Sequence, residues 1–154
     1  MLKNIIFDLG CVILNIDFKR TIDAFYKLGI VNINEMFSGY AQTGFFDEFE
    51  KGLTSPQQFR NEIKKHTRKD VSDDMIDGAW NEMILDFPAE RINFLLSIRS
   101  RYRTFLLSNT NAIHCPVYNK LLNDTFSIPD LSCLFEKAYY SFHLGLKKPD
   151  SEIF

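Results

Sequence analysis

Three short runs of hydrophobic residues have the pattern of buried β-strands. They lie at residues 3–8, 103–109 and 137–141. A continuous apolar run of this length predicts a strand of a parallel sheet, because such a strand is buried on both faces. Residues 89–99 lead into the second run with apolar positions at helical spacing, and residues 150–154 open a further helix. Alternating strands and helices predict an α/β core with a Rossmann-like parallel sheet.

The stretch between the first two strands has a helical pattern and no convincing strand. Apolar residues from Phe18 to Tyr26 fall on one helical face, and Gly29 ends that helix. A short helix is predicted over residues 34–40. Ser55 before Pro56 is a helix-start signal.

A last helix of this stretch is predicted over residues 72–83, where a serine precedes two aspartates. Phe45 and Phe46 are expected in a glycine-containing loop between these helices, where they could line a substrate pocket, with at least one of them packed in the core of this helical region. The whole pattern predicts a discontinuous core of residues 1–15 and 89–154 that carries an inserted helical cap of residues 16–88.

Composition excludes several classes of function. The 154 residues have a net charge of −2 and a pI near 5.9, which gives no electrostatic footprint for nucleic acid. The basic cluster at residues 64–69 is followed by aspartates, which indicates a solvated helix end. No apolar stretch approaches the roughly 18 residues of a membrane-spanning helix. Three cysteines without metal-ligand spacing predict buried, reduced thiols in a cytoplasmic protein.

Chemically unusual residues follow each predicted strand. Asp8 ends the first strand, Ser108 and Asn109 end the second, and Lys148 lies in the loop after the third. Ligands of such sheets bind beyond the carboxyl ends of the strands. A carboxylate can attack phosphorus or carbon, a hydroxyl and an amide can hold phosphoryl oxygens, and an ammonium can balance negative charge. Taken alone, each residue is weak evidence, because an aspartate at a strand end is more often a cap and a Ser-Asn pair is more often a turn.

Three segments in order resemble the motifs of the haloacid dehalogenase-like hydrolases. They are residues 5–13 (Ile-Ile-Phe-Asp-Leu-Gly-Cys-Val-Ile), residues 106–111 (Leu-Leu-Ser-Asn-Thr-Asn) and residues 145–154 (Gly-Leu-Lys-Lys-Pro-Asp-Ser-Glu-Ile-Phe). Within this superfamily the chain resembles small sugar-phosphate phosphatases of the glucose-1-phosphatase kind. These share Asp-Leu-Gly in the first motif, and a Ser-Asn-Thr-Asn stretch followed shortly by histidine. The resemblance adds Asn111 and His114 to the candidate substrate- or phosphate-binding residues.

The resemblance implies a magnesium-dependent phosphatase that acts on a small phosphorylated metabolite. Asp8 would attack the phosphate and form an aspartyl-phosphate, which water then hydrolyses. Mg²⁺ would be held by the Asp8 carboxylate and the backbone carbonyl of Gly10. Ser108 and Asn109 would bind phosphoryl oxygens, and Lys148 would orient Asp8 and offset charge.

The chain departs from the family pattern at Gly10. Most phosphatases of the family carry an aspartate two residues after the nucleophile, where it protonates the leaving group and later activates water. Glycine can do neither, and general acid–base catalysis is worth about 10²–10⁴-fold in rate. Asp17 is a possible substitute, although capping of the helix that starts near Phe18 explains it better. Cys11 has no neighbour that would activate a thiol and is expected to be a small packing residue.

A second departure concerns the family's fourth motif, an acidic pair that completes the magnesium site. The sequence contains no counterpart of this motif after the third one. The sequence therefore predicts an incomplete metal site and a core truncated at its carboxyl end. Residues 5–7 would then form an open sheet edge, through which two chains could associate.

Two alternatives stay open on the sequence. One is a carbon–halogen hydrolase of the 2-haloacid dehalogenase type, which would use the same Asp8 without metal. The other is a non-catalytic or truncated relative that keeps the fold for binding or assembly.

Overall fold

The computed structural model describes residues 3–33, 44–67 and 70–154. Within these ranges the strands form one parallel sheet in the order β1-β2-β3, with β1 at Asn4–Phe7, β2 at Arg103–Ser108 and β3 at Lys137–Tyr140. Neighbouring strands are parallel, as in the pairs Ile6 with Phe105 and Leu107 with Tyr139. The predicted α/β fold with a parallel sheet is confirmed.

Helices connect and cover the strands. The α-helices of the described ranges are α1 (Phe18–Lys27), α2 (Phe45–Glu50), α3 (Pro56–Lys65), α4 (Asp73–Asn81), α5 (Ala89–Ile98), α6 (His114–Phe126) and α7 (Ser141–Leu144). Two short 3₁₀ helices lie at Leu131–Leu134 and Ser151–Ile153. Helices α1 to α4 all lie between β1 and β2 in the chain, where the sequence predicted helices and no strand.

Local sequence explains where these helices begin. Ser55 and Gln58 form a reciprocal capping box at the start of α3, with Pro56 at its first position. The Ser72 side chain accepts a hydrogen bond from the Met75 N–H at the start of α4. The carboxylate of Asp17 accepts from the Lys19 N–H at 2.9 Å and so caps α1. These contacts each satisfy a backbone N–H that has no partner within its helix.

The buried hydrophobic side chains form two clusters. The first joins α1 to α4, and Trp80, Phe59 and Phe25 are among its fully buried members. The second lies against the sheet and includes Leu106 and Tyr118. No helix of the described ranges is long and apolar enough to cross a membrane. The domain boundaries given above stay a prediction.

Several local expectations were wrong. Phe45 and Phe46 lie in helix α2 and not in a loop. Their stacked rings pack into the first cluster, as was expected of at least one of them. The thiols were expected to be buried, but Cys11 and Cys133 are exposed and Cys115 is only partly buried. Cys11 has a positive φ of 60°, so it is a turn residue and does not pack in the core. The helix predicted over residues 34–40, and the last two basic residues of the cluster at 64–69, lie outside the described residues.

Candidate active site

The carboxyl ends of the three strands open into a cavity of about 600 Å³. Its wall combines residues from the strand ends with residues from α1, α2 and α4. Of the predicted site residues it includes Asp8, Gly10, Ser108, Asn109, His114 and Lys148. Asn111 is absent from this wall and is fully buried. The structure therefore brings six of the seven predicted residues to one cavity.

Asp8 and Lys148 form an ion pair at the centre of this site. The Lys148 ammonium lies 2.8 Å from Oδ1 of Asp8, whose side chain is 48% exposed. The same Oδ1 accepts a hydrogen bond from the Leu9 N–H at 2.7 Å. Within the described residues Oδ2 has no hydrogen-bond partner. One carboxylate oxygen is thus fixed by two donors, and the other is open to a ligand.

Lys148 is held in place by groups from β2. Its ammonium also donates to the Leu107 carbonyl at 2.9 Å. The Asn109 amide donates to the Lys148 carbonyl and accepts from the Lys148 N–H, both at 2.8 Å. These two bonds couple the end of β2 to the loop after β3. Asn109 therefore positions Lys148 and also lines the cavity.

The ends of β2 and β3 are joined by a second pair of hydrogen bonds. The Ser141 hydroxyl accepts from the Thr110 N–H at 3.0 Å and donates to the Thr110 carbonyl at 2.9 Å. Ser108 ends β2, and among the described residues its hydroxyl makes only a long contact of 3.4 Å to the Asn109 carbonyl. Because this hydrogen bond is weak and Ser108 lines the cavity, the Ser108 hydroxyl is available to a ligand oxygen.

Asn111 caps helix α6 from inside the protein. Its side-chain oxygen accepts from the N–H groups of Ile113 and His114 at 3.1 and 3.0 Å. The cap fixes the first turn of α6, on which His114 is carried. Asn111 therefore acts on the cavity through the position of His114 and does not reach the cavity wall.

The His114 imidazole packs against Trp80 of the first hydrophobic cluster. Its ring stacks on Trp80 with centroids 4.8 Å apart, and Nδ1 lies 2.8 Å from Oδ1 of Asn81. Burial lowers the pKa of His114 to about 3, because the charged form loses its hydration. The ring is neutral at physiological pH.

An ion-pair network that the sequence did not predict closes the side of the cavity near α2. Lys147 lies 2.9 Å from Asp47 and 3.1 Å from Glu50. Partial burial by itself would lower the pKa of Lys147, but the hydrogen bond and charge of Asp47 and the charge of Glu50 outweigh it and raise that pKa. Lys51 extends the network to Asp47 and Asp150. Helix α2 is thus tied to the loop that carries Lys148.

The departure at residue 10 has a structural counterpart. A Cβ atom at Gly10 would lie 2.9 Å from Cδ1 of Ile16, which is closer than such atoms approach. Gly10 and Ile16 both line the cavity. Asp17 is absent from that wall and caps α1, so the interpretation of Asp17 as a cap is supported.

Two oxygen atoms of the site fit a hard cation. They belong to the Asp8 carboxylate, which is half exposed, and to the carbonyl of Gly10, which takes no hydrogen bond from the described residues. Oxygen is the ligand that Mg²⁺ prefers. The described residues contain no group of three or more histidine, cysteine or acidic side chains that could hold a metal. The residues present therefore fit a magnesium ion that also draws ligands from water and phosphate.

Comparison with known proteins identifies the family. No family profile matches the chain. A D-ribitol-5-phosphate phosphatase of Bacteroides thetaiotaomicron is 33% identical over 156 aligned positions, which cover 100% of this chain and 74% of the relative. The chain belongs to the haloacid dehalogenase-like hydrolases.

Solved structures of haloacid dehalogenase-like proteins agree with this assignment. A family enzyme of B. thetaiotaomicron, an aspartate-to-alanine variant in complex with magnesium and inorganic phosphate, is 38% identical with a TM-score of 0.93 over 99% of this chain and 75% of its own. The wild-type enzyme with the same two ligands is 39% identical with a TM-score of 0.87. A predicted haloacid dehalogenase-like hydrolase of Porphyromonas gingivalis is 31% identical with a TM-score of 0.89 over 100% of this chain and 73% of its own.

Proposed function

We propose that this chain is a magnesium-dependent phosphatase that hydrolyses small phosphate monoesters through an aspartyl-phosphate on Asp8. The contact that carries the proposal is the 2.8 Å ion pair between Lys148 and Asp8 Oδ1. It leaves the second carboxylate oxygen open at the cavity. The family relationship to a sugar-alcohol phosphatase, and to enzymes solved with magnesium and phosphate, supports the same reaction.

Residues of this chain are in position for the attack on phosphorus and for the balance of phosphoryl charge. Oδ2 of Asp8 attacks phosphorus while the bond to the ester oxygen breaks, and the alcohol leaves after taking a proton. Water then attacks the aspartyl-phosphate and releases inorganic phosphate and the carboxylate. Lys148 balances the charge that builds up on the phosphoryl group, and Ser108 donates to one of its oxygens. Gly10 supplies no acid, so the leaving oxygen takes its proton from water in the cavity.

Magnesium would be held by the Asp8 carboxylate and the Gly10 carbonyl. When bound, the ion neutralises phosphate charge and favours in-line attack. Lys148 and the Leu9 N–H both contact Oδ1 of Asp8. The carboxylate orientation is therefore set before either ligand arrives.

The size of the cavity favours a small substrate. About 600 Å³ lies within the usual range of roughly 300–1,000 Å³ for small-molecule sites. The rest of the wall mixes apolar side chains, such as Phe18 and Met83, with the polar Glu50 and Lys147. We therefore propose a sugar or polyol phosphate as the substrate class.

We also propose how the chain is divided into domains and how two chains associate. The two hydrophobic clusters support a core of residues 1–15 and 89–154 with a helical cap of residues 16–88. Strand β1 pairs only with β2 among the described strands, and its Ile6 is 63% exposed. This edge supports self-association of two chains. The cytoplasmic location stays a prediction.

The test is a metal-dependence assay over a panel of small phosphate esters, with 2-haloacids as a separate arm. Phosphate release should require Mg²⁺, stop on chelation, and fall at least about 10³-fold in Asp8→Asn. Asp124→Asn is the matched control, because Asp124 is exposed and paired with Lys120 away from the cavity. Halide release without metal would instead identify a dehalogenase. If Asp8→Asn kept wild-type rates of phosphate release and halide release, Asp8 would not be the nucleophile.

A further inference from the structure

His114 has one ring nitrogen whose role is fixed by the protein. Its Nδ1 lies 2.8 Å from the side-chain oxygen of Asn81, which can only accept a hydrogen bond. Nδ1 therefore carries the proton, and in the neutral ring Nε2 is left as an acceptor. Asn81 ends α4 and His114 begins α6, so the tautomer is set by a contact between two helices that both contribute residues to the cavity wall.

The second nitrogen of the ring opens into the cavity. Nε2 has no hydrogen-bond partner among the described residues, and it is absent from the fully buried polar atoms that lack one. His114 lines the cavity. The exposed part of this 8%-exposed residue therefore includes the acceptor nitrogen. Stacking on Trp80 and the cap from Asn111 keep the ring in this orientation.

We propose that His114 Nε2 accepts a hydrogen bond from a hydroxyl group on the carbon chain of the substrate, and so selects polyol or sugar phosphates. This inference rests on the proposed phosphatase function and adds the residue that distinguishes one ester from another. A neutral acceptor suits an O–H group. It has no hydrogen to offer to a carboxylate or to phosphoryl oxygens, which only accept.

Burial of the ring supports the same role. Loss of hydration holds the pKa of His114 at about 3, so the ring does not gain a second N–H near neutral pH. Lys148 and Ser108 provide the donors that phosphoryl oxygens require. His114 is then a substrate-binding residue for the leaving alcohol.

The experiment compares two five-carbon esters, ribitol 5-phosphate and n-pentyl phosphate, in the magnesium-loaded enzyme. The measured quantity is the ratio of their kcat/KM values, which does not depend on the fraction of folded enzyme in a preparation. We expect His114→Phe to lower this ratio roughly tenfold, mainly through a higher KM for ribitol 5-phosphate, because one hydrogen bond to substrate is lost. His114→Gln keeps an acceptor oxygen and should retain more of the ratio.

His143→Phe is the matched control, because His143 is exposed and is absent from the cavity wall. Its ratio should equal that of the wild type. An unchanged ratio in His114→Phe, or a ratio in His114→Gln as low as in His114→Phe, would overturn the inference while leaving the phosphatase function intact. Failure of the wild type to hydrolyse either ester would instead overturn the proposed function, and this inference with it.

Discussion

The Lys148 ammonium lies 2.8 Å from Oδ1 of Asp8 and 2.9 Å from the carbonyl of Leu107, so one cation joins the ends of β1 and β2. The lysine comes from the loop after β3, where Asn109 holds its backbone with two hydrogen bonds. All three strand ends are thus linked at the carboxylate that we propose as the nucleophile.

Replacing Lys148 with methionine should lower kcat far more than it raises KM. The substitution removes the charge that balances the phosphoryl group in the transition state, an effect typically worth about 10²–10³-fold. Steady-state kinetics on the best phosphate ester would measure it. Lys120→Met is the control, since Lys120 is 75% exposed and pairs with Asp124. A Lys148→Met enzyme with wild-type kcat would show that the ammonium has no role in the chemical step.

Protonation of His114 should destabilise the fold as pH falls. The pKa of His114 is about 3 in the folded protein and near 6.5 when the ring is exposed, so between these values the unfolded chain binds a proton that the folded chain does not. Stability is therefore full above about pH 6.5 and declines towards pH 3, by about 2 kcal/mol between pH 7 and pH 5 from this residue alone.

Denaturant unfolding at several pH values would measure this decline. His114→Gln does not titrate in this range, so the difference in unfolding free energy between wild type and variant should shrink by about 2 kcal/mol from pH 7 to pH 5. If the unfolding free energies of the wild type and of His114→Gln depended equally on pH, the His114 ring would not be neutral and buried.

The fold was largely predictable because its signals are local. The strands are continuous apolar runs, and the starts of α3 and α4 carry their own caps. Helix α6 was missed, since its cap comes from Asn111, which precedes the first helical residue, His114, by three positions. Pro116 near its start also obscured the pattern, although proline is tolerated in a first turn.

The candidate site was predictable only in part, for a related reason. Asp8, Ser108, Asn109 and Lys148 stand at strand ends, where topology alone brings them together. The pair of Lys147 and Glu50 joins residues 97 positions apart, and no periodicity marks it. Likewise, Nδ1 of His114 has its partner in Asn81, so the tautomer appears only when the two helices are packed.

Among the described strands β1 pairs only with β2, and this edge of the sheet should support self-association at high concentration. Ile6 on β1 is 63% exposed. The next residue of the strand, Phe7, lines a smaller groove together with Val12 and Phe94, which are also exposed. A charge at this edge should oppose pairing. Sedimentation velocity over a concentration series should show association in the wild type, weakened at least about tenfold in Ile6→Lys.

Val31→Lys is the matched control for that series. Val31 is 60% exposed and belongs to neither hydrophobic cluster, so its substitution adds the same charge away from the sheet. A wild type that stays monomeric, or equal association in Ile6→Lys, would remove the edge as an interface.

An aspartate at position 10 should act as a general acid if the side chain of Ile16 is shortened. In most family phosphatases an aspartate stands two residues after the nucleophile, whereas here a Cβ at Gly10 would lie 2.9 Å from Cδ1 of Ile16. Ile16→Val removes that carbon atom and no other, at a cost of about 0.5–1.5 kcal/mol in stability. We expect the double variant Gly10→Asp/Ile16→Val to exceed Ile16→Val alone in kcat by at least about tenfold, since general acid catalysis contributes about 10²–10⁴-fold.

The comparison that isolates proton transfer is Gly10→Asn in the same Ile16→Val background. Asparagine has the shape of aspartate but cannot transfer a proton, so it should give no gain. Gly10→Asp without the change at Ile16 should gain less than the double variant, because the displaced Ile16 side chain moves within the cavity wall. Equal rates with Asp and Asn at position 10 would mean that protonation of the leaving group does not limit this enzyme, and that Gly10 removes nothing the reaction needs.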